Sequence, residues 1–214
     1  MTDHGWMKRS APAIAWVSIA QYFVVEELVR RSYALPYSRR TDFISDLGAV
    51  TCGPHNGREV CSPDHIWMNV SFGLVGVAIP LGALLLRAAA PELITAPILA
   101  LYGAAGVGSV LVALFPEDTI GPLHVLGAAA FFVGSNLGHV LLGSRLRRHL
   151  PSYGRVLACV GGLGLVGTGL LVAEEYLGLG AGFVERVVVY AADAGFIATG
   201  LALLASGRSL RTGP

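Results

Sequence analysis

Between Thr41 and Phe72 the chain reads TDFISDLGAVTCGPHNGREVCSPDHIWMNVSF, which sets Asp42, Ser45, Asp46, His55, Glu59, Asp64, His65, Asn69 and Ser71 beside a long apolar run. Carboxylates and imidazoles gathered in this way are the groups of general acid–base catalysis or of a metal centre. His65, His124 and Asp46 are the right ligand types for zinc with one open position. Their spacing matches no metal signature of the HExxH or paired CxxC kind, and a lone histidine at a helix end serves equally as a hydrogen-bonded anchor. Ser45 beside Asp46 is a nucleophile candidate, although the turn ISDLG offers both a plainer use in bonding nearby backbone. GxSxG elbows, phosphate-cradling loops and dinucleotide fingerprints are missing from the sequence.

Further ionisable groups sit inside apolar runs, where a charge at the helix centre costs about 2.5–3.5 kcal/mol and so calls for a reason. Asp193 is the clearest, roughly 12 Å into the last run and on one helical face with Arg186 and Tyr190. It is either a structural ion pair or a functional acid. Glu26 and Glu27 close the first run, and Glu174 and Glu175 the fifth. Such pairs are solvated helix ends unless one member turns inward, where desolvation and like charge would preserve a usable proton. His124 opens the fourth run at the same side as His65, whereas His139 lies far along it and belongs to no site with them.

The elements that must hold these groups are six apolar runs: Ala11 to Val29, Ile66 to Leu86, Leu93 to Phe115, Leu123 to Gly143, Val156 to Tyr176 and Phe183 to Ala205. Each suits a membrane-spanning helix of about 20 residues. The predicted fold class is therefore all-α, one domain of six transmembrane helices with a long outer loop over 31–64. Composition agrees, since 54% of the 214 residues are hydrophobic and 14% charged, with a mean hydropathy of +0.63. A net charge of +1 excludes the basic surplus that a nucleic-acid partner requires. The N-terminal run reads as a retained span and not a cleaved signal, because Glu26 and Glu27 stand where small residues would mark a cleavage site.

Lys8, Arg9, Arg87, Arg145, Arg147, Arg148, Arg155, Arg208 and Arg211 all fall on one face of this arrangement, which predicts a cell-membrane protein with both termini cytoplasmic. Arg30, Arg31, Arg39, Arg40 and Arg58, in the long outer loop, run against that pattern. Of 14 acids, Asp3 and Glu92 alone fall on the cytoplasmic side, so the polar chemistry faces outward. An outward loop is in an oxidising compartment, and a Cys52–Cys61 disulfide is expected there. Small residues in GSNLG and GGLGLVGTG predict close helix packing, and no internal repeat suggests an alternating-access transporter.

The run ISDLG at 44–48, CSPDHIWMNVSF at 61–72, LFPED followed by His124, and the late pair Glu185 and Arg186 together resemble an uncharacterised family of prokaryotic multispanning membrane proteins, the domain of unknown function 998 family. The resemblance covers most of the chain and maps onto Ser45, Asp46, Leu47, Gly48, Cys61, Ser62, Pro63, His65, Asn69, Phe115, Pro116 and His124. It implies that the outer-face pattern is a shared site, and supplies no reaction. A looser likeness in kind links the chain to membrane-bound terpene cyclases and to alkaline-ceramidase-like zinc hydrolases, neither of whose motif sets aligns here.

The leading expectation is an intramembrane enzyme acting on an isoprenoid or other lipid at the outer leaflet, in which Asp193 or Glu26 donates a proton to an alkene or epoxide. Trp16, Tyr22, Trp67 and Tyr190 would then stabilise a cation by their ring faces, with Asn69 and Arg186 beside the substrate. One alternative is a zinc-dependent lipid hydrolase built on His65, His124 and Asp46. Another is a non-catalytic subunit whose loop recruits a protein partner that the sequence does not identify.

Overall fold

A computed structural model describes residues 4–209, with side chains described for residues 10–205. Lys8, Arg9, Arg208 and Arg211, on which the expected placement of the termini partly rests, lie outside the described side chains. Six helices are long and apolar enough to cross a membrane, over Ser10–Ser32, His65–Ala89, Ala96–Leu114, Gly121–Leu146, Pro151–Val172 and Ala181–Ala205. The protein is an all-α multi-pass membrane protein. Its first span is broken into α1 (His4–Val17) and α2 (Gln21–Ser32) by a 3-10 turn over Ser18–Ala20. The rest are α3 (His65–Ala89), α4 (Ala96–Leu114), α5 (Gly121–Leu146), α6 (Pro151–Val172) and α7 (Ala181–Ser209). The fifth span ends earlier than its apolar run suggested: the chain leaves the helix after Val172, and Glu174 takes a left-handed conformation at φ 54°.

Successive helices pack side by side, and α7 returns to α1, so the bundle closes into a ring. Lipid provides no hydrophobic drive between helices, and close approach of backbones replaces it. A Cβ at Gly76 of α3 would lie 2.8 Å from Gly106 O of α4, and one at Gly106 would lie 2.6 Å from Gly76 O. Gly143 of α5 and Gly154 of α6 are matched in the same reciprocal way, at 2.6 Å each. In the ring's interior Trp16 packs on Tyr102 and Phe196 and donates its Nε1–H to Ile79 O at 3.2 Å.

The segment 33–64 folds back over one end of the ring. A 3-10 turn over Ser45–Gly48 sinks Ile44 and Leu47 to 2% and 0% exposure, held by Ser62 Oγ donating to Leu47 O at 2.7 Å and Asn69 Nδ2 donating to Gly48 O at 2.9 Å. After it, β1 (Gly53–His55) and β2 (Arg58–Val60) form an antiparallel hairpin in the register Gly53↔Val60, Pro54↔Glu59, His55↔Arg58. Asn56 and Gly57 turn it with positive φ of 46° and 77°, the pair of left-handed residues that a tight two-residue hairpin requires. The expected Cys52–Cys61 disulfide closes the base of this hairpin. Asp118, in the α4–α5 connection, accepts from the Val50 and Thr51 amides and ties the segment to the bundle.

Candidate functional site

The hairpin and the 3-10 turn converge on the α4–α5 connection, and there the polar groups meet. Asp46 is 1% exposed. Its Oδ2 accepts from the Phe43 amide at 2.7 Å, the turn role expected for it, while Oδ1 accepts from Arg58 Nη2 at 2.6 Å. The Arg58 guanidinium is stacked over the Phe43 ring at 4.6 Å and lies 3.7 Å from Glu117 Oε1. Ser45 Oγ donates to Glu117 Oε2 at 2.8 Å, and His55 Nε2 stands 4.0 Å from the same oxygen. Ser45 is thereby more than a turn residue.

Glu117 is the electrostatic centre of the cluster. Burial pushes its carboxyl up to about 9, and a hydrogen bond to Asp46 together with the Asp46 charge pushes in the same direction, against smaller opposing effects of Ser45 and Arg58. The group therefore keeps its proton at neutral pH. Oε2 accepts from Ser45, and Oε1 is buried with no hydrogen-bond partner among the described residues.

Two spaces open from this cluster. One is an internal cavity of about 40 Å³ lined by Tyr22, Ser45, Phe72, His124, Glu185, Asp193 and neighbouring apolar side chains, room for about three waters. The other is a groove of about 420 Å³ between α5 and α6, with Arg58, Glu117 and Tyr176 at its head and Val125, Ala129, Phe132, Leu171 and Val172 along its apolar length. Ser45, His124 and Glu185 line both. Glu185 Oε2 accepts from the Ile44 amide, and His124 Nδ1 donates to Phe115 O at 2.9 Å, which leaves His124 Nε2 as the lone-pair nitrogen.

The remaining expected residues fall in different places. Asp193 is 1% exposed in the internal cavity, its Oδ1 without a hydrogen-bond partner among the described residues. Glu26 does turn inward while Glu27 faces the rim, but Glu174 and Glu175 both remain exposed because the helix has ended before them. Glu26 Oε1 accepts from Arg186 Nε at 3.1 Å, and Tyr190 Oη donates to both of its oxygens; these donors occupy it. Arg186 Nη1 also donates to the carbonyls of Arg39, Asp42 and Gly182, which makes it a staple between loop and helix. Asn69 holds the Gly48 turn. Tyr22 lines the cavity, whereas Trp16 lies in the packed interior and Trp67, 62% exposed, points away from the bundle in the manner of an interfacial aromatic.

Among the described residues no three His, Cys, Asp or Glu side chains are grouped to hold a metal ion. The set His65, His124 and Asp46 is thus not gathered: His65 Nδ1 is turned back to Ser62 O at the head of α3, and Asp46 is taken by Arg58. His139, as expected, stands apart, bonded to Tyr102 and Ala192. Sequence reasoning passed over Glu117, Arg58 and Glu185 as site residues. The signals were present in the acid of LFPED and in the Asn-Gly pair, which marks a hairpin that would carry Arg58 back toward Asp46.

Compared with known proteins, the chain matches a family profile described as "Protein of unknown function (DUF998)" over residues 11–210. No curated protein and no solved structure matches it.

Proposed function

Because the chain belongs to the DUF998 family, a family whose function is unknown, its chemistry rests on the site alone, and we propose that it is an intramembrane acid catalyst acting on an isoprenoid or other unsaturated lipid. The observation that carries this reading is Glu117, a carboxyl held protonated at the head of a lateral apolar groove that shares Ser45, His124 and Glu185 with a buried cavity. A lipid would enter between α5 and α6 from the bilayer, with its reactive alkene or epoxide against Glu117 and its chain along Phe132 and Leu171.

Glu117 gives its proton to the alkene carbon or epoxide oxygen and becomes the carboxylate that Ser45 and Arg58 stabilise. Both groups favour the ionised form, so they are matched to the product of that step. Positive charge left on the substrate carbon is met by the ring of Phe132, which lines the groove. His124 Nε2 then accepts a proton from the neighbouring carbon, which restores an alkene, and return of that proton from His124 to the Glu117 carboxylate closes the cycle. Asp46, fixed by Arg58, keeps Glu117 protonated between turnovers. The small cavity excludes bulk water that would quench a cation.

The capped end faces the outside of the cell membrane in this reading. Support comes from the disulfide, which belongs to an oxidising compartment, and from Arg145, Arg147, Arg148 and Arg155 at the opposite end.

The test is to reconstitute wild type and Glu117→Gln in membranes made from a native lipid extract and follow lipid composition by mass spectrometry. Wild type should deplete an unsaturated lipid and accumulate an isomer of it. Glu117→Gln should slow this by about 100-fold or more, the usual worth of a general acid. Equal conversion by both proteins would overturn the assignment.

A further inference from the structure

A second groove lies on the other flank of α6, between α2, α6 and α7, with a volume of about 930 Å³, at the upper end of the roughly 300–1,000 Å³ of ligand sites. Its walls within the membrane-spanning region are Phe23, Leu163, Phe183, Val187 and Ala194, and its rim at the capped end carries Arg39 and Arg40. Leu163 and Phe183 are 56% and 45% exposed, so the groove is open along its side.

Charge at the rim is unbalanced. Glu27 alone serves Arg30, Arg31 and Arg39, at 2.9, 2.6 and 2.5 Å. Arg40 donates to the carbonyls of Gly178 and Leu179. Glu26 is matched by Arg186, and the Asp42 carboxylate is turned to the Ser38 amide and the Thr41 hydroxyl. Among the residues that line the groove, Arg39, Arg40 and Arg186 stand against Glu26, with Glu27 beside the rim shared between Arg30, Arg31 and Arg39, so that Arg40 has no carboxylate of its own at the mouth of an apolar trough.

We propose that this groove binds an anionic phospholipid, its acyl chain along Phe23, Leu163, Phe183 and Ala194 and its phosphate on Arg39 and Arg40. Guanidinium groups suit phosphate because their paired N–H donors match its oxygens. A soluble anion would have no use for the apolar walls, and a neutral lipid or apolar partner helix would leave Arg40 uncompensated. The site stands independently of the acid chemistry on the far side of α6.

The full-length protein in mild detergent, offered equal phosphatidylglycerol and phosphatidylcholine, is read by native mass spectrometry. Wild type should retain phosphatidylglycerol about tenfold over phosphatidylcholine. The double variant Arg39→Gln/Arg40→Gln should lose the preference, and Arg148→Gln, at the opposite end, should keep it. Ala194→Trp fills the trough without touching the loop's hydrogen bonds and should lower retention of phosphatidylglycerol while the fold is intact. Equal retention of both lipids by wild type, an equal loss in Arg148→Gln, full retention in Ala194→Trp, or displacement by millimolar inorganic phosphate would each overturn the proposal.

Discussion

At the scale of single residues the decisive pair is Asp46 and Glu117, two carboxyls of which one is bound to Arg58 and the other keeps a proton. A carboxyl whose folded value is raised from 4.5 to about 9 binds a proton that the unfolded chain releases. Its contribution to stability is complete below about pH 4.5 and is lost as pH rises toward 9, with a slope of at most about 1.4 kcal/mol per pH unit. Thermal unfolding of wild type in detergent should therefore fall over that window relative to Glu117→Gln, which has no such proton; parallel profiles would sink the assignment. Asp46→Asn removes the neighbouring charge and should move the midpoint of Glu117 downward, visible as an earlier loss of the protonated carboxyl band in infrared titration. Asp46 in the ISDLG turn and His124 at the head of α5 stood out in the sequence by residue type, and both lie beside the cluster around Glu117. Glu117 did not, since the first of two adjacent acids after a proline in a short connection looks like a solvated turn, and its meaning comes from a hairpin distant in sequence that folds over it.

At the scale of elements the disulfide-closed hairpin is the device that delivers Arg58 and His55 to the two carboxyls. Cys52→Ser/Cys61→Ser should lower stability by about 2 kcal/mol and, by loosening Arg58, remove a group that holds the Glu117 midpoint down. A midpoint unchanged in that variant would mean that the hairpin keeps its place through Asp118 and Ser62 alone. The helix ring depends on backbone approach in the same literal way. Gly127→Leu would push into Leu111 of α4, where a Cβ already stands 2.9 Å from Leu111 Cβ and 2.7 Å from Gly108 O, and should cost about 1–3 kcal/mol, read as a lower unfolding temperature. The six spans were readable because bilayer thickness fixes the length of an apolar run. The break at Ser18–Ala20 was not, because no proline or glycine marks it and Ser18 Oγ donates to Ala15 O within the turn.

At the scale of the whole molecule, acid site, disulfide and basic groove all lie at one end of the ring, so the side of the membrane that this end faces decides where the chemistry happens. Outward, the disulfide is stable and the lateral openings meet outer-leaflet lipid. Inward, the thiols would be reduced and the hairpin loosened. The two cases separate by labelling, in a background where the exposed Cys159 is replaced by serine. Glu174→Cys reports on the capped end, and Arg148→Cys on the opposite one; both positions are exposed. In intact cells a membrane-impermeant maleimide should react with Glu174→Cys at once and with Arg148→Cys only after the membrane is opened. The reverse pattern would put the basic rim and the Arg58 hairpin in a reducing compartment. Glu117 would then draw its proton from the inside, and the substrate would have to be an inner-leaflet lipid.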